Sequence, residues 1–166
     1  MRKRLLPAFG VAAATAGALS LGLSLAPAAA DAAPASPRHR TTIEAVETGT
    51  AINMVDVAPA DSALGDQLIG TGRLTGNDGR ELGTSSFVGV STDAKPRTAE
   101  LLTFVYELPG GKITTAGTAR LASSRPVFDE RFAITGGTGR YRNAVGEVRV
   151  LQETVERARI TFDIQR

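Results

Sequence analysis

Glu100 and Tyr106 stand in the most apolar stretch of the chain, Ala99 to Leu108, where a period of two places Leu102, Phe104, Tyr106 and Leu108 on one side with Glu100. A carboxyl at one end of an otherwise apolar row suits the mouth of a cavity. Held there it would have a raised pKa and could donate a proton near neutral pH. The plainer reading is a charge on a solvated strand end. Leu102 and Phe104 on the same row are candidate ligand contacts, and Tyr106 is a candidate polarising phenol. Tyr141, which closes a glycine-rich hairpin, is a further candidate contact, and for both tyrosines ordinary core packing is the competing reading.

Other chemistries drop out on residue type and spacing. The chain has no Cys, which excludes thiol catalysis, thiolate metal sites and disulfides. Its single His, His39, lies in the run Asp31 to Arg40, rich in Pro, Ala and charge, where neither a triad nor a metal cluster could be held. The serines therefore lack an ordinary base. Asp61, Asp66, Asp78 and Asp93 do not follow the alternation of a calcium loop, so no metal site is expected. Gly70-Thr-Gly72 and Gly137-Thr-Gly139 lack the spacing and the following helix of a phosphate-binding loop, and read as turns and strand kinks.

The elements that must position these side chains are strands. Thr41 to Val57 reads as one long bent strand or two short ones, interrupted near Gly49. Further strands are predicted over Asp66 to Thr75, Leu82 to Thr92, Ala99 to Leu108, Ile113 to Ala122 and Phe128 to Thr135, then Tyr141 to Glu153 and Val155 to Gln165. Gly76-Asn-Asp-Gly79 and Pro109-Gly-Gly111 are turns. In the last strand Ala158, Ile160, Phe162 and Ile164 share one side and Arg157, Arg159, Thr161 and Asp163 the other. About eight strands without a helical period favour a closed eight-stranded antiparallel β-barrel, because closure removes the edges that invite aggregation. Such a barrel is either filled by side chains or holds one small ligand.

Residues 1–30 carry the marks of a secretory signal: Met1-Arg-Lys-Arg4, an apolar run from Leu5 to Leu25, and Ala28-Ala-Ala30 before Asp31. Residues 31–40 read as a flexible tether and 41–166 as the folded domain. Loss of the signal would leave 16 Lys plus Arg against 17 Asp plus Glu, from 19 against 17 in the whole chain, and no stable membrane insertion. That balance leaves no basic field for nucleic acid. The expected location is extracellular.

Ala133-Ile-Thr-Gly-Gly-Thr-Gly139, followed by Tyr141, Gly146 and Glu147-Val-Arg-Val-Leu-Gln-Glu153, resembles the signature of the allene oxide cyclase and dirigent superfamily. Ala63-Leu-Gly-Asp66 and Ile69-Gly-Thr-Gly72 resemble segments upstream of it, and the likeness spans about Thr41 to Arg166. With the export signal it fits a secreted bacterial member. The resemblance implies an eight-stranded barrel, a homotrimer or homodimer, with an apolar cavity that shapes a reactive small molecule. It also puts Glu44 and Glu47 where the cyclases keep an acidic group, although their Glu-x-Asn is absent: two residues after Glu44 stands Val46, and two after Glu47 stands Gly49. After the glycine turn Ala144-Val-Gly146 stands where dirigent proteins carry Ala-Arg-Gly. The function expected is a cyclase or isomerase of a small apolar, unsaturated molecule that needs no cofactor, with Glu44, Glu47 and Tyr106 as polarising groups. The alternatives are a secreted binding module for an apolar metabolite, without turnover, and a structural cell-envelope protein whose barrel is filled by side chains and has no pocket of ~300 Å³.

Overall fold

A computed structural model describes residues 39–57, 59, 61–94, 97–123 and 127–166. The expected signal, and the tether up to residue 38, lie outside the described residues. Eight strands follow one another: β1 (Arg40–Val55), β2 (Gln67–Thr75), β3 (Glu81–Ser91), β4 (Ala99–Leu108), β5 (Gly111–Arg120), β6 (Phe128–Gly137), β7 (Val145–Thr154) and β8 (Arg157–Gln165). Each pairs antiparallel with the next, and β8 returns to β1, so the sheet closes into the expected barrel.

Closure depends on the length of β1. Its residues 40–48 pair with β8 and its residues 46–55 with β2, and a bulge between Gly49 and Ala51 bends it from one neighbour to the other. The long bent strand is therefore the form adopted. The barrel also begins earlier than expected, because Arg40 belongs to β1 and the backbone of His39 exchanges hydrogen bonds with Arg166.

The glycine-rich hairpin differs from its sequence reading. No strand starts at Tyr141; Gly139–Tyr141 form a short 3-10 helix and β7 begins at Val145. The cause is close packing against the neighbouring turn. A Cβ on Gly139, whose φ is +57°, would lie 2.1 Å from the Gly110 carbonyl oxygen, and Arg140 N–H donates to that oxygen at 2.8 Å. This end of the barrel is thereby shut, with Tyr141 and Ala144 buried beneath it.

Alternation fills the interior as anticipated. Ala158, Ile160, Phe162 and Ile164 are buried, as are Leu102, Phe104, Tyr106 and Leu108 with Glu100. Phe104 meets Phe132 edge-on at 5.2 Å, and Tyr106 meets Phe162 likewise at 4.9 Å, in the densest part of the core. The outer surface is divided. On β6, β7, β8 and the start of β1, Arg40–Asp163, Arg131–Glu147 and Arg149–Asp129 pair across strands. Across the middle of β2 to β5, the outward positions are Ile69, Thr71, Ser86, Val88, Thr103 and Val105, without charge.

Candidate active site

Where the closed end is packed solid, the opposite end is hollow. A cavity of about 280 Å³ lies there, just under the ~300 Å³ at which drug-sized pockets begin. Leu68, Leu102, Phe104, Leu121, Val127 and Phe128 are among its apolar walls, and Met54 and Val155 stand exposed on its rim. Its charged groups are Glu47, Arg97, Glu100 and Glu156.

Glu47 is brought inside by the pleat of β1, which buries Ala45 and Glu47 and turns Glu44 outward. Ser85 Oγ on β3 donates to Glu47 Oε1 in a buried hydrogen bond. Gly72 on the intervening strand makes this possible: a Cβ there would lie 2.6 Å from Glu47 Oε1 and 2.7 Å from Ser85 Oγ. Burial raises the Glu47 pKa above its ordinary value, and the Ser85 hydroxyl only partly opposes this. Glu47 is thus a carboxyl that holds its proton more tightly than one in water does.

Glu100 lies at the first turn-proximal end of β4, only 3% exposed, and forms an ion pair with Arg97. Burial raises its pKa, against the pull of Arg97. The solvated strand-end reading is therefore replaced by a buried one, because Arg97 supplies the partner that a buried carboxylate requires. Gly89 opposite is again bare: a Cβ would come within 2.7 Å of Glu100 Oε2. Gly70 and Gly72 are accordingly neither turns nor kinks. They are regular strand positions emptied so that Phe87 and Glu47 can lie across them.

Four of the expected residues, Glu47, Glu100, Leu102 and Phe104, meet in the cavity wall. Three do not. Glu44 is exposed and accepts a hydrogen bond from Asn77 Nδ2 at 2.8 Å, since a step of one residue along a strand reverses the face. Tyr141 packs under the opposite, closed end, its hydroxyl 3.4 Å from the Pro109 carbonyl oxygen. Tyr106 lies beneath the cavity floor, stacked on Phe104 at 5.6 Å and fully buried. Burial and the nearby Glu47 carboxyl push its pKa well above the ordinary value, so it stays a neutral phenol. Its hydroxyl is buried beside that of Thr115, the one group that acts as its hydrogen-bond partner. Tyr106→Phe is expected to destabilise the fold by about 1 kcal/mol, since it leaves the Thr115 hydroxyl buried alone. Urea unfolding measures this; a gain of stability would show that the two hydroxyls do not pair.

Sequence reasoning missed Ser85, Phe87 and Arg97. Ser85 and Phe87 share a strand face with Gly89 and Ser91, so alternation on β3 could have found them. Arg97 precedes β4 in a connecting segment, where no periodicity assigns a direction. Among the described residues no three His, Asp or Glu side chains converge as a metal-binding set.

Comparison with known proteins agrees with the barrel fold. Among solved structures the chain is similar to a pyocyanin demethylase, at 21% identity over 75% of this chain and 99% of that one, with a TM-score of 0.65. It is also similar to the Diels-Alderase AbmU from Streptomyces koyangensis, at 20% identity over 79% of this chain and 70% of that one, TM-score 0.61. The pterocarpan synthase dirigent protein GePTS1 is 21% identical over 77% of this chain and 87% of its own, TM-score 0.55. A sequence comparison with curated proteins finds no match. The allene oxide cyclase barrel like domain matches residues 46–164, and with the closed eight-stranded barrel this makes the chain a member of the allene oxide cyclase-like family.

Proposed function

We propose that the barrel is a cofactor-independent cyclase or isomerase that takes a small apolar, unsaturated molecule into its cavity and controls ring closure. The observation that carries this reading is the buried Glu47 carboxyl, its pKa raised, at the wall of a chamber whose lining is mainly apolar. A protonated carboxyl there can hydrogen-bond or protonate an oxygen of the substrate as negative charge develops on it. The aromatic and aliphatic walls hold one folded conformation, which converts an entropic cost of cyclisation into binding. A Diels-Alderase and a pterocarpan synthase among the fold's neighbours are consistent with ring formation.

The reaction class has a direct test. Purified protein is incubated with a panel of linear polyenes carrying an enone or epoxide, and products are separated by chiral chromatography with mass detection. A product of unchanged mass with one enantiomer in excess is expected. Binding without any such product would assign the chain to the non-catalytic metabolite-binding class instead.

We also propose that the protein is exported and that it self-associates through the uncharged outer face of β2 to β5. Residues such as Ile69, 43% exposed, and Leu101, 47% exposed, are covered by a second copy more favourably than by water. Sedimentation equilibrium should give a dimer or trimer, and Val88→Lys with Val105→Lys should return a monomer. A wild-type monomer at micromolar concentration would remove this proposal.

A further inference from the structure

Besides its charged groups the cavity wall carries one amide, Gln152. The pleat of β7 turns Val148, Val150 and Gln152 to the inner face. A glutamine has two N–H donors and a carbonyl acceptor to place. Gln152 Nε2 donates to the Thr154 carbonyl oxygen at 2.6 Å, with the Arg157 carbonyl oxygen at 3.5 Å, at the hairpin that joins β7 to β8. Two carbonyls on one side identify that end of the amide as the nitrogen, so Oε1 is directed away from the hairpin. Oε1 accepts from no donor among the described residues, and unlike Arg97 Nε and Nη2 it keeps open surface. The cavity wall therefore holds an acceptor that is fixed in direction and unoccupied.

Strand register says what lies beside it. Gln152 pairs with Ala158 on β8, and Ala158 with Glu47 on β1. Amide and carboxyl thus stand in one row, two strand spacings or about 10 Å apart at the backbone. Ala158 is a buried methyl in the same lining, so no long side chain fills the ground between them. On its other side Gln152 pairs with Phe128, an aromatic wall. An anion would meet the negative end of the amide dipole and be repelled. A cation would be costly to bury among these apolar walls, where the Glu100 carboxylate is already matched by Arg97. The group that suits Oε1 is the O–H of a neutral molecule.

We propose that Gln152 is a specificity-determining residue of the cavity: its Oε1 accepts a hydrogen bond from a hydroxyl of an uncharged, mainly apolar ligand, and so sets which part of the molecule lies over Ala158 beside Glu47. This rests on the small-molecule cavity described under the proposed function. It narrows the substrate class to apolar molecules that carry a hydroxyl, phenols and enols among them. Gln152 takes no proton and makes no bond to carbon. It holds the ligand by its hydroxyl while the rest of the molecule reaches across Ala158 to the Glu47 carboxyl.

Paired probes separate the hydroxyl contact from apolar burial. 1-Naphthol and 2-naphthol are each compared with the methylnaphthalene that replaces the hydroxyl by a methyl of similar size. Fluorescence titration gives the ratio of the two dissociation constants for each pair. Gln152→Met, which keeps the length of the side chain without its acceptor, should move that ratio about fivefold against one naphthol isomer, the share of a single neutral hydrogen bond. The matching methylnaphthalene should bind as before. Gln152→Lys keeps a donor for the Thr154 and Arg157 carbonyls and still lacks the acceptor, so it should give the same ratio even where Met loosens the hairpin. Ratios unchanged for both isomers, or equal weakening of naphthol and methylnaphthalene, would overturn the hydroxyl contact, reduce Gln152 to a support of the hairpin and leave the apolar cavity standing. No binding of any probe by the wild type would overturn both the contact and the cavity reading beneath it.

Discussion

Glu47→Gln should lower turnover by about 10²- to 10⁴-fold, the usual contribution of a positioned acid, while substrate binding changes little and the folded state becomes more stable. The amide keeps the shape of the side chain and can accept from Ser85 Oγ, so the cavity is preserved. It lacks the transferable proton. Because burial raises the Glu47 pKa, the wild-type rate should be highest where the carboxyl is protonated and fall as pH rises through that raised value. Stability follows the same group. In the unfolded chain the carboxyl titrates near its ordinary 4.5, and in the fold it titrates higher. Between the two values the native state holds a proton that the unfolded state has lost, so stability declines as pH rises across that window. Gln does not titrate. Its melting temperature should match the wild type at pH values below 4.5 and exceed it above the window. Thermal melts at pH 4 and pH 8, beside a rate–pH profile, check both parts. Undiminished turnover in the variant would remove Glu47 from the chemistry, and equal melting temperatures at pH 8 would show that its carboxyl is not held in the protonated form.

The barrel was legible because its information is periodic. Alternation in β4 and β8 assigned every inward residue there, and closure followed from strand number and the need to leave no edge. The site was legible only where it sits on such a strand, as Glu100, Leu102 and Phe104 do. Glu44 and Glu47, three residues apart on an unbroken stretch of β1, must face opposite sides, but alternation left open which points inward, because apolar residues stand on both faces at Ile43, Ala45 and Val46. Tyr106 lies on the correct face but one step too deep: alternation gives the side of a strand and not the depth at which packing ends and space begins. Tyr141 was displaced by a contact between two turns, Gly110 against Gly139, distant in sequence and invisible to any local pattern. Arg97 lay outside every strand. The most misleading residues were the glycines of β2, whose local preference suggests irregular backbone and whose use is space.

That use of space is open to a sharp experiment. Gly72→Ala is expected to reduce kcat by about 10²-fold, the penalty associated with displacing a reacting group by about 1 Å, without unfolding the protein. The new Cβ would meet Glu47 Oε1 at 2.6 Å, Ser85 Oγ at 2.7 Å and Glu47 Cγ at 2.8 Å, all of them side-chain atoms able to swing away. The strand pairs of β2 with β1 and β3 therefore survive, and Ala is the better residue for strand backbone by about 0.5–1 kcal/mol. What is lost is the position of the carboxyl and its bond to Ser85. KM should change less than kcat, because the ligand-facing walls Leu102, Phe104 and Phe128 are untouched. Gly89→Ala supplies the contrast. Its Cβ would press on Glu100 Oε2 and Leu102 Cδ2, both at 2.7 Å, at the other polar point of the cavity, so its effect should fall on KM. If Gly72→Ala leaves kcat intact with a normal melting curve, Glu47 tolerates displacement and proton transfer from it is not the step that limits turnover.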